Sequence, residues 1–325
     1  MVSLNTNYLG LKLKNPVIVS SSGLTNTVEK IIKLEKYGAA AVVLKSLFEE
    51  QINYEAGSLI DKSDYPEAQD YISHYIKDNS VREYLKLIED SKKAVKIPVI
   101  ASINCISGSE WVSYAREIEK AGADALELNV FIVPTEENKS SDKYEELYYR
   151  IIDKVKSKTN LPISVKIGMH YTNLINLVSN ITFRGASGVV MFNRFYSPDI
   201  DLKEMKFTSS DVFSSPSDLR HSLRWIGIIA GKNIKIDLAA STGVHDSDAV
   251  IKQILAGATA VQICSTLYKN GSEYLQKILE GIQSWMSSKN YSNLDEIRGM
   301  FSYKRIPDPA IYERSQFMKY FSSYQ

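Results

Sequence analysis

The chain has 325 residues, of which 44% are hydrophobic and 24% are charged, and its formal net charge is +1. These values are ordinary for a soluble globular protein, and they give no indication of nucleic acid or an anionic membrane as a partner. The only two cysteines are Cys105 and Cys264, so no disulfide framework is implied. The sequence shows neither a signal peptide nor an apolar run of about 18 residues, so we expect a cytoplasmic protein without a membrane segment.

Eight short apolar runs, rich in β-branched residues, are separated by helical patterns. Continuous apolar runs, as opposed to alternating ones, are typical of parallel strands that are buried on both faces. The predicted strands are Pro16–Ser20, Ala41–Leu44, Pro98–Ile103, Ala125–Leu128, Ile163–Ile167, Gly188–Phe192, Lys235–Leu238 and Ala260–Cys264. This order predicts an α/β fold, a single-domain (β/α)8 barrel over residues 1–325, with 290–325 as a C-terminal extension on the barrel exterior.

Helix ends and loops fit the same array. The predicted helices Thr27–Tyr37, Ser109–Ala121 and Asp246–Ala256 are each followed by glycine, a common C-cap residue. Two long segments, 49–79 and 195–216, follow the second and sixth strands, so we expect both to overhang one mouth as lids or substrate walls. An open, doubly wound sheet is the rival architecture. Polar strand ends spread over nearly every strand, and the absence of G-x-G-x-x-G and P-loop motifs, favour the barrel.

Lysines and asparagines stand at the ends of several predicted strands, where a (β/α)8 barrel places its active site. Lys45 follows the second predicted strand, and Lys166 lies near the end of the fifth. Burying a lysine there costs free energy unless its ammonium contacts a polar or charged partner. Asn104, Asn129 and Asn193 follow the third, fourth and sixth strands. Three carboxamides at one mouth would suit a planar ligand edged with N–H and C=O groups.

The loops after the seventh and eighth strands are a common phosphate site in this fold. Gly243 would let the backbone approach a ligand closely, and Cys264 reads as a small residue of the second turn. The hydroxyl donors available there are Ser241, Thr242, Ser265 and Thr266. These turns predict phosphate binding. None of the four histidines shows metal-ligand spacing, so no metal site is predicted.

Taken in order, several of these strand ends match one known family. The matching stretches are Asn15-Pro-Val-Ile-Val-Ser-Ser-Ser-Gly-Leu, Val43-Leu-Lys-Ser, Ile97-Pro-Val-Ile-Ala-Ser-Ile-Asn, Ala121-Gly-Ala-Asp-Ala-Leu-Glu-Leu-Asn, Val165-Lys-Ile, Phe192-Asn and Ser241-Thr-Gly-Val. Over residues 1–290 the chain resembles the dihydroorotate dehydrogenase superfamily of FMN-dependent barrels.

The resemblance implies FMN as the cofactor and a small planar, pyrimidine-like substrate, and it makes a homodimer an expectation. The implied cofactor contacts are Ser21, Ser22, Gly23, Lys45, Ser46, Asn104, Asn129, Lys166, Asn193, Ser241, Thr242, Gly243, Cys264 and Ser265. Lys45, Asn129 and Asn193 would also face the substrate. Lys166 would face the pyrimidine end of the flavin, where its charge would stabilise the negative charge of the reduced ring.

The chain departs from the family pattern on the substrate side. Active members carry a Cys or Ser base three residues beyond the asparagine of the fourth strand, and here Ile132 stands at that position. Isoleucine cannot accept a proton. The expected second asparagine beyond the base, the Pro/Gly/Arg pattern after Lys45 and the substrate turn at 53–60 are also missing. The chain therefore resembles the subgroup that retains the FMN site without the base. No catalytic residue is assigned, and Lys45 and Lys166 are expected to give electrostatic support only.

Three functions stay open from the sequence. The first is an FMN-dependent oxidoreductase of pyrimidine metabolism that acts on CH–CH groups, with weak or absent dihydroorotate oxidation. The second is a non-catalytic FMN-binding protein. The third is an aldolase-type barrel that forms a Schiff base through Lys166.

Overall fold

The computed structural model describes residues 2–48, 69–104, 114–130, 132–194, 197–209 and 211–314, with the side chains of the helix at 69–94 described from Asn79 onwards. Its strands are β1 (Thr6–Tyr8), β2 (Leu11–Leu13), β3 (Val17–Val19), β4 (Ala41–Val43), β5 (Leu47–Phe48), β6 (Val99–Asn104), β7 (Ala125–Asn129), β8 (Ile163–Ile167), β9 (Gly188–Met191), β10 (Pro198–Asp201), β11 (Lys206–Ser209), β12 (Asp237–Ser241) and β13 (Ala260–Ile263). Its helices are α1 (Val28–Lys36), α2 (Gln69–Ala94), α3 (Tyr114–Lys120), α4 (Ser141–Lys156), α5 (Leu174–Phe183), α6 (Leu219–Ala230), α7 (Ser247–Ala256), α8 (Ser265–Asn270), α9 (Tyr274–Ser288), α10 (Leu294–Ile297) and α11 (Ala310–Glu313).

Eight parallel strands form a closed barrel. The ring runs β3–β4–β6–β7–β8–β9–β12–β13, and the pairing of β13 with β3 closes it. Almost every residue of these strands is buried, because the inner face packs in the barrel and the outer face packs under helices. The predicted (β/α)8 fold is confirmed.

Helix α1 shows how local sequence sets the boundaries. The Thr27 side chain caps its first turn by accepting from the Lys30 N–H, and Gly38 follows its end with a φ of +106°. Asp246 and Gly257 play the same two roles for α7. Both helices agree with their predicted ranges. For the helix predicted at 109–121, the structure describes α3, and residues 109–113 lie outside the described residues.

The seventh barrel strand lies later in the chain than predicted. The prediction placed it at Lys235–Leu238, whereas β12 spans Asp237–Ser241. The small residues Ala239 and Ala240 are the ones that pair with β9 on one side and β13 on the other. Ser241 is consequently the last residue of a strand and not part of the loop that follows.

Both predicted loops contain regular structure. Helix α2 begins at Gln69, so the end of the segment 49–79 is helical, and residues 49–68 lie outside the described residues. The segment 195–216 contains the antiparallel hairpin β10–β11. Its apolar positions are exposed, so no buried stripe marked it as strand in the sequence.

The N-terminal end of the barrel is closed by the hairpin β1–β2, which sequence reasoning did not predict. Tyr8 and Leu9 at its turn are buried against inward-facing residues of the barrel, among them Val190 and Ala260. The Leu9 N–H donates to Asp237 Oδ2 at 2.7 Å, which fixes the hairpin to the first residue of β12. With this end filled, the C-terminal mouth is left for a ligand.

Residues 290–314 run along the outside of the barrel. Gly299 and Phe301 donate backbone hydrogen bonds to carbonyls of α7, and Tyr303 donates to Gly227 of α6. Within the described part of the chain, no helix combines the length and the apolar character that crossing a membrane requires.

Tyr84 of α2 ties its helix to the strand that carries Asn104. Its hydroxyl accepts from the Ser102 N–H at 2.7 Å and donates to the Ser102 carbonyl at 3.0 Å. Burial raises the pKa of this phenol, so it keeps the proton that it donates.

We expect Tyr84→Phe to lower the free energy of unfolding by about 1–3 kcal/mol, because it leaves buried backbone groups of Ser102 unpaired. Urea unfolding of parent and variant checks this. Tyr37→Phe is the matched control, since the Tyr37 ring lies by Lys33 near the surface. Equal unfolding midpoints for the Tyr84 variant and the parent would contradict the assigned role.

Candidate functional site

A cavity of about 430 Å³ opens at the C-terminal mouth of the barrel, between the ends of β3, β8, β9, β12 and β13. This volume lies within the range of small-molecule sites, about 300–1,000 Å³. Eight of the predicted cofactor contacts line it: Ser21, Lys166, Asn193, Ser241, Thr242, Gly243, Cys264 and Ser265. The structure therefore brings together residues that are up to 244 positions apart in the sequence, from Ser21 to Ser265.

Lys166 lies inside the barrel and not on its surface. Only 6% of the residue is exposed, and its ammonium donates to Ser20 Oγ at 2.9 Å and to Gln262 Oε1 at 3.0 Å. Glu127 Oε1 lies 3.6 Å from the same nitrogen, and Gln262 Nε2 donates to Glu127 Oε2 at 2.5 Å. We refer to Ser20, Glu127, Lys166 and Gln262 as the barrel network.

The barrel network supplies the partners that a buried lysine requires. A lone ammonium in an apolar barrel would be strongly disfavoured, and a carboxylate together with two oxygen acceptors offsets the loss of water. Sequence reasoning missed Glu127 and Gln262. The available signal was a charged or amide residue within a continuous apolar run, Ala125–Leu128 for the first and Ala260–Cys264 for the second.

The asparagines meet on neighbouring strands. Asn104, Asn129 and Lys166 occupy adjacent register positions on β6, β7 and β8, so they lie at one level of the barrel. Asn193 Nδ2 donates to Asn129 Oδ1 at 2.8 Å. Asn104 Oδ1 is buried and has no hydrogen-bond partner among the described residues, which leaves an acceptor for a group from outside the described chain.

Six predicted contacts are not among the residues that line the cavity: Ser22, Gly23, Lys45, Ser46, Asn104 and Asn129. Ser46 supports Ser21 through a hydroxyl contact of 3.0 Å and is itself 2.7 Å from Ser102 Oγ. Lys45 is half-buried and lies two residues after the end of β4. Burial raises the pKa of the Cys264 thiol, so this residue lines the cavity as a neutral group.

The turn after β12 has a backbone that only a few residues adopt. Thr242 and Gly243 have φ angles of +75° and +79°, and the Thr242 hydroxyl donates to the Phe192 carbonyl at 3.0 Å. A Cβ at position 243 would lie 2.1 Å from Leu219 N. Position 243 therefore requires glycine because the backbone packs closely against the start of α6. The prediction had given a different reason, the close approach of a ligand.

Residues 211–218 cross this end of the cavity, and we call them the strap. Arg194 holds it by donating to the Val212 carbonyl at 3.1 Å, to the Asp211 carbonyl at 2.5 Å and to Asp218 Oδ2 at 3.1 Å. Val212 and Phe213 of the strap form part of the cavity wall, with Phe213 against Tyr268 at 5.3 Å between ring centroids. Sequence reasoning placed this segment in a loop and missed Arg194.

Ser214 fastens the middle of the strap to the segments that follow β12 and β13. Its N–H donates to Ser265 Oγ at 3.0 Å, its hydroxyl lies 3.1 Å from His245 Nε2, and its carbonyl accepts from Lys269 Nζ at 3.1 Å. Burial, followed by the nearby Lys269 charge, lowers the pKa of His245. The neutral imidazole is consequently the form that fits under the strap.

The closed parallel barrel and the cavity at its C-terminal mouth define a (β/α)8 protein with a candidate small-molecule site at that mouth. Comparison with known proteins makes this more specific. A sequence model described as "Dihydroorotate dehydrogenase" matches residues 3–286, and the chain belongs to this family. The resemblance drawn from the sequence is confirmed at the level of the family.

Three relatives show how similar the chain is in sequence to known members of the family. The chain is 25% identical over 313 residues to the catalytic subunit of dihydroorotate dehydrogenase B (NAD(+)) of Methanothermobacter thermautotrophicus, covering 91% of this chain and 98% of the relative. It is 27% identical over 303 residues to the protein of the same description from Pyrococcus abyssi, covering 91% and 98%. A putative dihydroorotate dehydrogenase A (fumarate) of Aeropyrum pernix is 26% identical over 304 residues, covering 91% and 96%.

The environment of His245 predicts a pH dependence of stability. The unfolded chain takes up a proton near pH 6.5, whereas the lowered pKa of the folded imidazole resists it, so stability falls as the pH drops below about 6.5. We expect His245→Gln to lose this part of the pH dependence. Urea unfolding between about pH 7.5 and about pH 5.5 checks it. Parallel losses in parent and variant would contradict the assignment.

Proposed function

We propose that this chain is an FMN-binding oxidoreductase of the dihydroorotate dehydrogenase type, with a retained flavin side and an altered substrate side. The observation that carries the proposal is Lys166, which is held inside the barrel by Ser20 and Gln262 and lines a cavity that is also lined by the turns after β12 and β13. A cation at one end and a phosphate cup at the other match the two ends of FMN.

The donors and acceptors of the cavity fit this cofactor. The Lys166 ammonium and the Asn193 amide are suited to the oxygen and nitrogen edge of a flavin ring. Ser241, Thr242 and Ser265 offer hydroxyls to a phosphate. When bound, FMN supplies the two-electron chemistry, while the chain supplies binding, orientation and charge. The family to which the chain belongs supports the same assignment.

The substrate side argues against ordinary dihydroorotate oxidation. Ile132 packs against the apolar core, and so it fills the position of the family base with a side chain that has no acceptor. Tyr148 holds the same loop by donating to the Val130 carbonyl at 3.1 Å, and burial raises its pKa to about 12, so this phenol stays protonated. Loss of a general base costs about 10²–10⁴-fold in rate. We propose a different small planar, pyrimidine-like substrate.

A Schiff-base mechanism is less well supported. The nucleophile would have to be a neutral amine, whereas the barrel network surrounds Lys166 with two oxygen acceptors and a carboxylate, an arrangement that holds a cation. A non-catalytic flavoprotein remains the second candidate, because Ile132 removes the base without touching the flavin side.

The experiment is anaerobic mixing of the FMN-loaded protein with dihydroorotate, followed by visible absorbance. We expect the flavin band to persist in the parent and also in Ile132→Cys, because the residues around the new thiol differ from the family pattern as well. Ile132→Val is the packing control, and dithionite must bleach all three proteins.

Bleaching of the parent by dihydroorotate would contradict the proposal, since another group would then act as the base. A gain of about 10²–10⁴-fold in Ile132→Cys would show that the remaining substrate side is intact. Reduction by another dihydropyrimidine would identify an enzyme. Reduction by none of a set of such compounds would favour the non-catalytic candidate.

A further inference from the structure

Glu127 is a charged residue of the barrel that does not itself line the cavity. It is 1% exposed and lies on β7, next to the strand that carries Lys166. Its Oε2 accepts from Gln262 Nε2, whereas its Oε1 has no hydrogen-bond partner among the described residues and lies 3.6 Å from Lys166 Nζ. Whatever Glu127 does for a ligand in the cavity, it does through Lys166 and Gln262.

The donors of Lys166 show what remains for a ligand. An ammonium has three N–H groups, and those directed at Ser20 and Gln262 account for two. The distance to Glu127 is that of an ion pair and exceeds a hydrogen bond. Because Lys166 also lines the cavity, the third N–H is left for a group bound there.

Gln262 transmits the presence of Glu127 to this arrangement. Its amide nitrogen donates to the Glu127 carboxylate, so its oxygen must face the other way, where it accepts from both Lys166 and Ser20. Without the Glu127 carboxylate, the Gln262 side chain would lose the contact that orients its nitrogen towards β7 and its oxygen towards Lys166. The Glu127 carboxylate therefore supplies the negative charge next to Lys166, and it also orients Gln262 Oε1, the acceptor that holds the Lys166 ammonium in place.

We propose that Glu127 is a positioning residue that sets how strongly Lys166 attracts negative charge at the ring end of the cavity. The pair is neutral as built, so the pull on an anion is limited, and neutralising Glu127 leaves an uncompensated cation. This inference rests on the proposed function in one respect, because it takes the flavin ring to lie at Lys166.

The first test needs no ligand. Glu127→Gln, Lys166→Met and the double variant are compared by urea unfolding without FMN. Removing one partner of a buried pair leaves the other uncompensated, so we expect each single change to raise the unfolding equilibrium constant by more than about tenfold. The double variant should lie nearer the parent than the sum of the two singles predicts. Additive effects would overturn the coupling, whether or not FMN binds.

The second test measures the pull on an anion. Sulfite adds its lone pair to the oxidised flavin ring, the ring takes up the negative charge, and the visible band bleaches. In the FMN-loaded protein we expect Glu127→Gln to lower the dissociation constant for sulfite by about tenfold or more, since a nearby charge shifts such equilibria by about one log unit or more. Lys166→Met should raise it.

Two variants serve as controls for the sulfite titration. Glu127→Asp retains the charge, so its sulfite affinity should stay near that of the parent even if Glu127→Gln folds poorly. Asp237→Asn removes another carboxylate, the one bonded to Leu9 at the opposite end of the barrel, and should leave sulfite binding unchanged. An unchanged sulfite affinity in Glu127→Gln would overturn the inference. Failure of the parent to bind FMN would instead overturn the proposed function.

Discussion

The structure depends on the burial of one lysine and one glutamate inside a parallel barrel. Each charge would be strongly destabilising alone, and their pair is tolerated because Gln262 and Ser20 satisfy the polar atoms around them. These partners come from β7, β8, β13 and the end of β3, so the four segments must keep their register for the barrel network to form. The barrel network thereby holds the Lys166 ammonium in a defined orientation at the wall of the cavity.

The two ends of the cavity are built differently. The end at Lys166, proposed to hold the ring, is built from strand residues that the barrel ladders fix in position, and Asn104 and Asn129 lie at the same level of the barrel as Lys166. The end proposed to hold the phosphate consists of turns and of the strap, which Arg194 and Ser214 attach to the barrel. The altered position, Ile132, lies in the loop after β7 and joins the apolar core. Under the proposed function, the missing base at this position therefore leaves both ends of the cavity in place.

Much of the fold was predictable because buried parallel strands and glycine-capped helices leave a local signal. The strand at 163–167 and the helix ends at Gly38 and Gly257 agree with the structure for this reason. The strand at 237–241 was misplaced because its pairing residues are small alanines, and the hairpins depend on contacts that no local pattern reports. The same limit applies to the site: Lys166 was predictable as a strand end, whereas its partner Glu127 depends on barrel closure.

The most direct test of the account is to titrate the ligand-free protein with FMN and with riboflavin by calorimetry. If the cavity holds a flavin ring at Lys166 and a phosphate at the turns around Ser241 and Ser265, FMN should bind at least about 100-fold more tightly, as two charge-assisted hydrogen bonds would provide. Equal affinities would contradict the assignment of the phosphate end. No binding of either compound would contradict the flavin site as a whole.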